Sequence, residues 1–79
     1  MEEIRAEVKQ VVGGIVGIDP EEIQDHHEFM GDLGADSIDM VEMMQGFSDS
    51  FQCTIPEEAA SEITTTNEAV TYIKTLING

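Results

Sequence analysis

Ser37 carries the best-placed reactive group in this sequence. It lies in Gly31-Asp32-Leu33-Gly34-Ala35-Asp36-Ser37-Ile38-Asp39-Met40-Val41-Glu42, where a glycine-containing loop gives way to apolar residues at helical spacing. Gly34 lets the backbone turn tightly, and Asp36 or Ser37 can cap the helix that follows. A hydroxyl there is exposed and sits beside free backbone N–H groups at the positive end of a helix, a position that suits a phosphodiester. The surroundings do not suit catalysis. Ser37 is not in Gly-x-Ser-x-Gly, His26 and His27 could approach it only through folding, and no acid–base set flanks it. No catalytic residue is expected, and the protein reads as a non-enzyme.

The other chemistry-bearing residues have plainer readings. A calcium loop beginning at Asp32 would place Gly34, Ser37 and Met43 at its third, sixth and twelfth positions, without the ligands and the glycine that an EF-hand needs. Weak divalent binding by crowded surface carboxylates is the most that such a rival reading supports, and no metal site is expected. His26 and His27 are adjacent, so they do not share a helix face as paired ligands would; they read as solvated loop residues. The lone Cys53 can form neither an internal disulfide nor a zinc site and reads as a small, partly buried apolar residue. Tyr72 reads as packing, with its hydroxyl at the surface.

These residues must be positioned by helices. Ile4, Val8, Val11, Val12 and Ile15 form an amphipathic stripe that predicts a helix over about residues 2–16. Glu2, Glu3 and Glu7 suit its positive end, Gly13 and Gly14 weaken its last turns, and Gly17 ends it. A long connection follows to Asp36. Asp19-Pro20-Glu21-Glu22 predicts a short helical turn within it, and Ile18, Ile23, Phe29 and Leu33 are placed to pin the rest to the core. A second helix is predicted from Ser37 to Ser50, with Met40, Met43, Met44, Phe47 and Phe51 on its buried stripe and Ile38 and Val41 widening that face. Gly46 weakens its interior. Ile55-Pro56-Glu57-Glu58-Ala59-Ala60 predicts a short helix opened by Pro56. Thr65 and Glu68 predict a capping box for the last helix, whose buried stripe is Val70, Ile73 and Ile77, supported by Leu76, with a stop at Asn78-Gly79. No segment alternates as a strand would. The expected fold is all-α, a small four-helix bundle of three main helices and one short one, forming a single domain over residues 1–79.

Charge narrows the choice of partners. The chain of 79 residues has a formal net charge of −14, and residues 10–73 hold 14 acids with no Lys or Arg. Such a surface repels nucleic acid and anionic membranes and attracts basic proteins. Like charge also disfavours self-association, so a monomer is expected. With 41% apolar residues in regular patterns, the chain is not a disordered acidic segment. The N-terminal residues have neither a basic start nor an apolar run, and one free thiol fits a reducing compartment, so a cytoplasmic location is expected. A purely structural acidic module would satisfy composition but leaves the segment around Ser37 unexplained.

Leu33-Gly34-Ala35-Asp36-Ser37-Ile38-Asp39 closely resembles the phosphopantetheine attachment motif of discrete acyl carrier proteins, usually Leu-Gly-Ala-Asp-Ser-Leu-Asp. The resemblance runs along most of the chain. Val8 to Val16 resembles the end of the family's first helix, Phe51 through Ile55-Pro56-Glu57-Glu58 the opening of its third, and Ile63-Thr64-Thr65 with Ala69, Tyr72 and Ile73 its last. It implies a four-helix fold and a 4'-phosphopantetheine arm on Ser37, installed from coenzyme A by a phosphopantetheinyl transferase, whose thiol carries acyl groups as thioesters. Asp36 would belong to the segment the transferase recognises. Asp39, Glu42 and Met44 would meet basic docking surfaces of acyl-transfer, condensing and modifying enzymes. Met43, Phe47 and Phe51 read as core on their spacing and, by the resemblance, would also shelter an acyl chain. Ile38 stands for the usual leucine, and Gln45, Ser48 and Ser50 thin the acidic row of the second helix. The expected role is acyl carriage in fatty-acid or related synthesis, with a specialised partner set; a polyketide-pathway carrier is the alternative. Peptidyl carriers, by contrast, usually show Gly-Gly-x-Ser.

Overall fold

A computed structural model describes residues 2–78 of the chain. It contains three α-helices, α1 (Glu2–Val16), α2 (Ser37–Phe51) and α3 (Thr66–Asn78), with 3-10 turns at Pro20–Glu22 and Glu57–Ser61. The fourth helix expected from Pro56 is thus a 3-10 turn. Pro56 is extended and precedes the turn instead of opening an α-helix. Among the described residues no strand forms, and one isolated β-bridge joins Glu28 to Thr65. Gly79, half of the expected stop, and the side chain of Glu2 lie outside the described residues.

Helix α1 packs against both α2 and α3, while α2 also rests on the Glu57–Ser61 turn. Val8 and Val12 of α1, Met40, Met43, Met44 and Phe47 of α2, and Ala69, Val70 and Ile73 of α3 are buried together with Ile23, Phe29, Ile55 and Ile63 from the connections. Each helix contributes residues three or four apart, the spacing that keeps one face of a 3.6-residue helix toward the core. Truncating Phe47, which has no exposed surface, would cost about 3–5 kcal/mol, a large share of what a domain this small can have.

Two expectations about the apolar faces are corrected. Ile38 is 68% exposed, because at 100° per residue it lies about 160° around α2 from Met40. Ile77 is 50% exposed. It is on the buried side of α3, but the buried residues of that helix end at Ile73, and its final turn extends beyond the core. Thr66 joins the buried stripe instead, with its hydroxyl enclosed and, among the described residues, without a hydrogen-bond partner.

Gly46 has a packing role that its weak helix propensity conceals. A Cβ at this position would stand 2.7 Å from Cγ1 of Val11, so the missing side chain lets α1 and α2 approach. Ser48 is also structural. Its hydroxyl donates to Met44 O at 2.9 Å and accepts from Ile55 N–H at 3.1 Å, joining the end of α2 to the segment beyond it.

The connection from Gly17 to Asp36 is not loose chain. Asp19 accepts from Glu21 N–H and caps the first 3-10 turn, as expected. Asp25 O accepts from Asn67 N–H, Thr64 O from Phe29 N–H, and Phe29 O from Ala35 N–H. The Asp25 carboxylate is paired with Arg5 at 3.2 Å and Lys9 at 3.1 Å, and Arg5 also donates to Asn67 at 2.8 Å. The segment leading to Ser37 is therefore fastened to α1 and to the start of α3.

Candidate functional site

Ser37 is the first residue of α2 and is exposed. The turn before it depends on Gly34, which has φ +79°, a value that strains any residue with a Cβ. Asp36, not Ser37, is the N-cap. Its carboxylate accepts from Asp39 N–H at 2.8 Å, and the Asp39 carboxylate accepts from Asp36 N–H at 3.2 Å. This is a capping box with aspartate at both ends. It fixes the backbone on either side of Ser37 while leaving the serine side chain out of the network.

The capping box also takes up part of the anion-binding capacity expected at this helix end. Among the described residues the N–H groups of Ser37 and Ile38 find no partner, and two such donors can face a phosphate oxygen. The neighbouring Asp36 and Asp39 carboxylates oppose an anion. The residues present fit a phosphate group that is held by a covalent bond and oriented by two N–H groups; they do not form a pocket that would retain a free anion.

The exposed side of α2 beyond Ser37 carries Ile38, Glu42, Gln45 and Asp49, spaced i, i+4, i+7 and i+11 along one face. Asp39 lies at its edge, half-buried and engaged in the capping box. Met44 does not belong to this surface. It is fully buried, because on the helix it shares the core face with Met40 and Phe47, so the expectation that it meets partners is withdrawn. Ile38, assigned to the core from its apolar character, is the side chain that faces solvent beside Ser37. The helical angle from Met40 could have revealed this. Met43 and Phe47 have no exposed surface, and Phe51 is half-buried.

The remaining candidates stand apart from Ser37 chemistry. His27 accepts from Gln24 N–H through Nδ1 at 3.0 Å and holds its own turn, with the His26 ring 5.2 Å away between centroids. Cys53 is half-buried, and burial raises its thiol pKa, which makes it a poor nucleophile. Among the described residues, no three His, Cys, Asp or Glu side chains are grouped to hold a metal ion, and no helix is long and apolar enough to cross a membrane.

A family model described as a phosphopantetheine attachment site matches residues 6–73. The match spans most of the chain and all but the ends of its outer helices, and the protein belongs to this family. The family carries covalently attached 4'-phosphopantetheine; its members are carrier domains, not catalysts, and interact in general with phosphopantetheinyl transferases and acyl-pathway enzymes. The protein is accordingly a phosphopantetheine-bearing carrier.

Proposed function

We propose that Ser37 is the attachment residue and that the protein carries acyl intermediates as thioesters for fatty-acid or related acyl synthesis. The observation that supports this most directly is the exposed hydroxyl at the first residue of α2, left free by a capping box that fixes the backbone around it. In the attachment step the Ser37 oxygen attacks the phosphorus next to pantetheine in coenzyme A. A new O–P bond forms, the nucleotide half leaves, and the serine proton passes to the transferase. The attached arm supplies a thiol at the end of a flexible chain. Asp36 fixes the approach of Ser37 to the transferase, and the Ile38, Glu42, Gln45 and Asp49 face offers partners one exposed apolar contact among carboxylates. Asp39 supports that face from its edge. Met43, Phe47 and Phe51 would shelter an acyl chain only if the bundle opened, since Met43 and Phe47 are fully enclosed.

The thinned acidic row favours a specialised partner set. Gln45 leaves Glu42 and Asp49 as the two carboxylates of the exposed stripe. A reconstituted fatty-acid synthesis assay in which this carrier equals a general-purpose one would refute the specialisation while leaving carriage intact; a polyketide pathway is the alternative setting.

The decisive test is intact mass after incubation with coenzyme A, magnesium and a broad-specificity phosphopantetheinyl transferase, beside Ser37→Ala. A gain of one phosphopantetheine in the parent alone is expected. A folded, unmodified parent that gains nothing, or a variant that gains the same mass, would overturn the assignment.

A further inference from the structure

Helix α3 has a second side that opens to solvent, beside its buried Ala69, Val70 and Ile73. Thr71, Tyr72, Thr75 and Leu76 line a groove of about 570 Å³ that is bounded by Glu62 and Glu68. Its lining is mainly apolar, with Tyr72 and Leu76 as the large apolar residues. Leu76 is 42% exposed, and no Lys or Arg lines the groove. Glu68 is a fixed charge, not a wandering one. Thr64 donates to its carboxylate through both N–H and hydroxyl, and these bonds hold its pKa below the ordinary value.

We propose that this groove docks a basic amphipathic helix of a partner protein, with two apolar side chains one turn apart entering over Tyr72 and Leu76 and flanking Lys or Arg residues meeting Glu62 and Glu68. Tyr72 and Leu76 are themselves one turn apart, the spacing that helix-in-groove recognition reads. Charge decides the occupant. A second copy of this chain would bring a net charge of −14 against an acidic rim, and an anionic lipid or free fatty acid would meet the same repulsion. The groove shares no residue with the Ser37 surface, and α2 and α3 each pack on α1. A partner on α3 can therefore remain bound while Ser37 is presented to other proteins, so the groove acts as a tether. This proposal does not depend on what Ser37 carries.

The test is a heteronuclear NMR titration of the full chain with a synthetic Lys/Arg-rich helix bearing leucines at i, i+4 and i+7, beside a scrambled peptide of equal composition. Saturable shifts are expected at Glu68, Thr71, Tyr72, Thr75 and Leu76 with the amphipathic peptide, weak binding of the scrambled one, and little change from Ser37 to Asp49. Leu76→Ser, at an exposed position that should leave folding intact, is expected to weaken binding about tenfold. Shifts centred on α2, equal binding of the scrambled peptide, an unaffected Leu76→Ser variant, or concentration-dependent groove shifts without peptide would each overturn the proposal. The last would assign the groove to self-association.

Discussion

Asp36 and Asp39 cap one another across the first turn of α2, each carboxylate accepting from the other's backbone N–H. The pair does two things that substitution can separate. It satisfies two backbone donors, and it places negative charge beside Ser37. Asp36→Asn keeps a side-chain acceptor for the cap, so its stability should stay within about 0.5 kcal/mol of the parent. Asp36→Ala should lose about 1 kcal/mol. If the transferase reads the charge, both variants should load slowly; if it reads only backbone order, Asp36→Asn should load normally. Urea denaturation together with loading rates checks both arms.

Asp25 supplies a pH dependence of known sign. Its bond to the Lys9 ammonium, aided by Arg5, holds its carboxyl below the ordinary value of 3.8. A folded-state pKa that is depressed contributes stability above the unfolded value and loses it as pH falls through the folded one. Asp25→Asn should therefore be less stable than the parent at pH 7, and the two should converge below about pH 4. The carboxylate is 43% exposed, so the gap should also shrink in high salt. A gap that persists at low pH would show that the charge is not its source.

Gly46 and Val11 should be energetically coupled. Gly46→Ala gains about 1 kcal/mol of helix propensity but pushes a methyl group against Val11, whose branched side chain has little freedom to move. Overpacking costs about 1–3 kcal/mol, so a net loss is expected. Adding Val11→Ala should recover part of it, leaving the double variant more stable than the sum of the singles by about 1 kcal/mol. Strict additivity in a double-mutant cycle would mean the two helices do not meet there.

Thr66 offers a stabilising change. Its hydroxyl is fully enclosed and unpaired, and a buried polar group without a partner costs about 1–3 kcal/mol. Thr66→Val keeps the shape and removes the hydroxyl, so thermal unfolding should move to higher temperature. A lower melting temperature would show that the hydroxyl is satisfied in solution.

The parts of this molecule that were legible in the sequence are those set by local rules. The extent of α1, the Asp19-Pro20 turn, the buried Met40-Met43-Met44-Phe47 stripe and the position of Ser37 at a helix start all follow from periodicity and capping over a few residues. What was hidden depends on contacts between distant segments or on geometry that residue type does not convey. Ile38 is apolar yet faces solvent, and Met44, read as meeting partners, is fully buried in the core. Gly46 read as a weakness because Val11, 35 positions earlier, is what requires it. Ser48 read as a missing acid, although its hydroxyl ties Met44 to Ile55. The Glu57–Ser61 turn kept the expected place but not the expected helix type.

The stitching of the Ser37 loop to the start of α3 sets an order in the life of the chain. Phe29 needs the carbonyl of Thr64, and Asp25 needs the amide of Asn67. During synthesis Ser37 leaves the ribosome before either partner does, and its flanking loop cannot be held in its folded form by contacts that have not yet been made. If Ser37 is the attachment residue and the folded loop is what the modifying enzyme reads, recognition waits until residue 67 has left the ribosome. An incomplete chain would then display the serine without the folded loop around it, and truncated products would escape being armed.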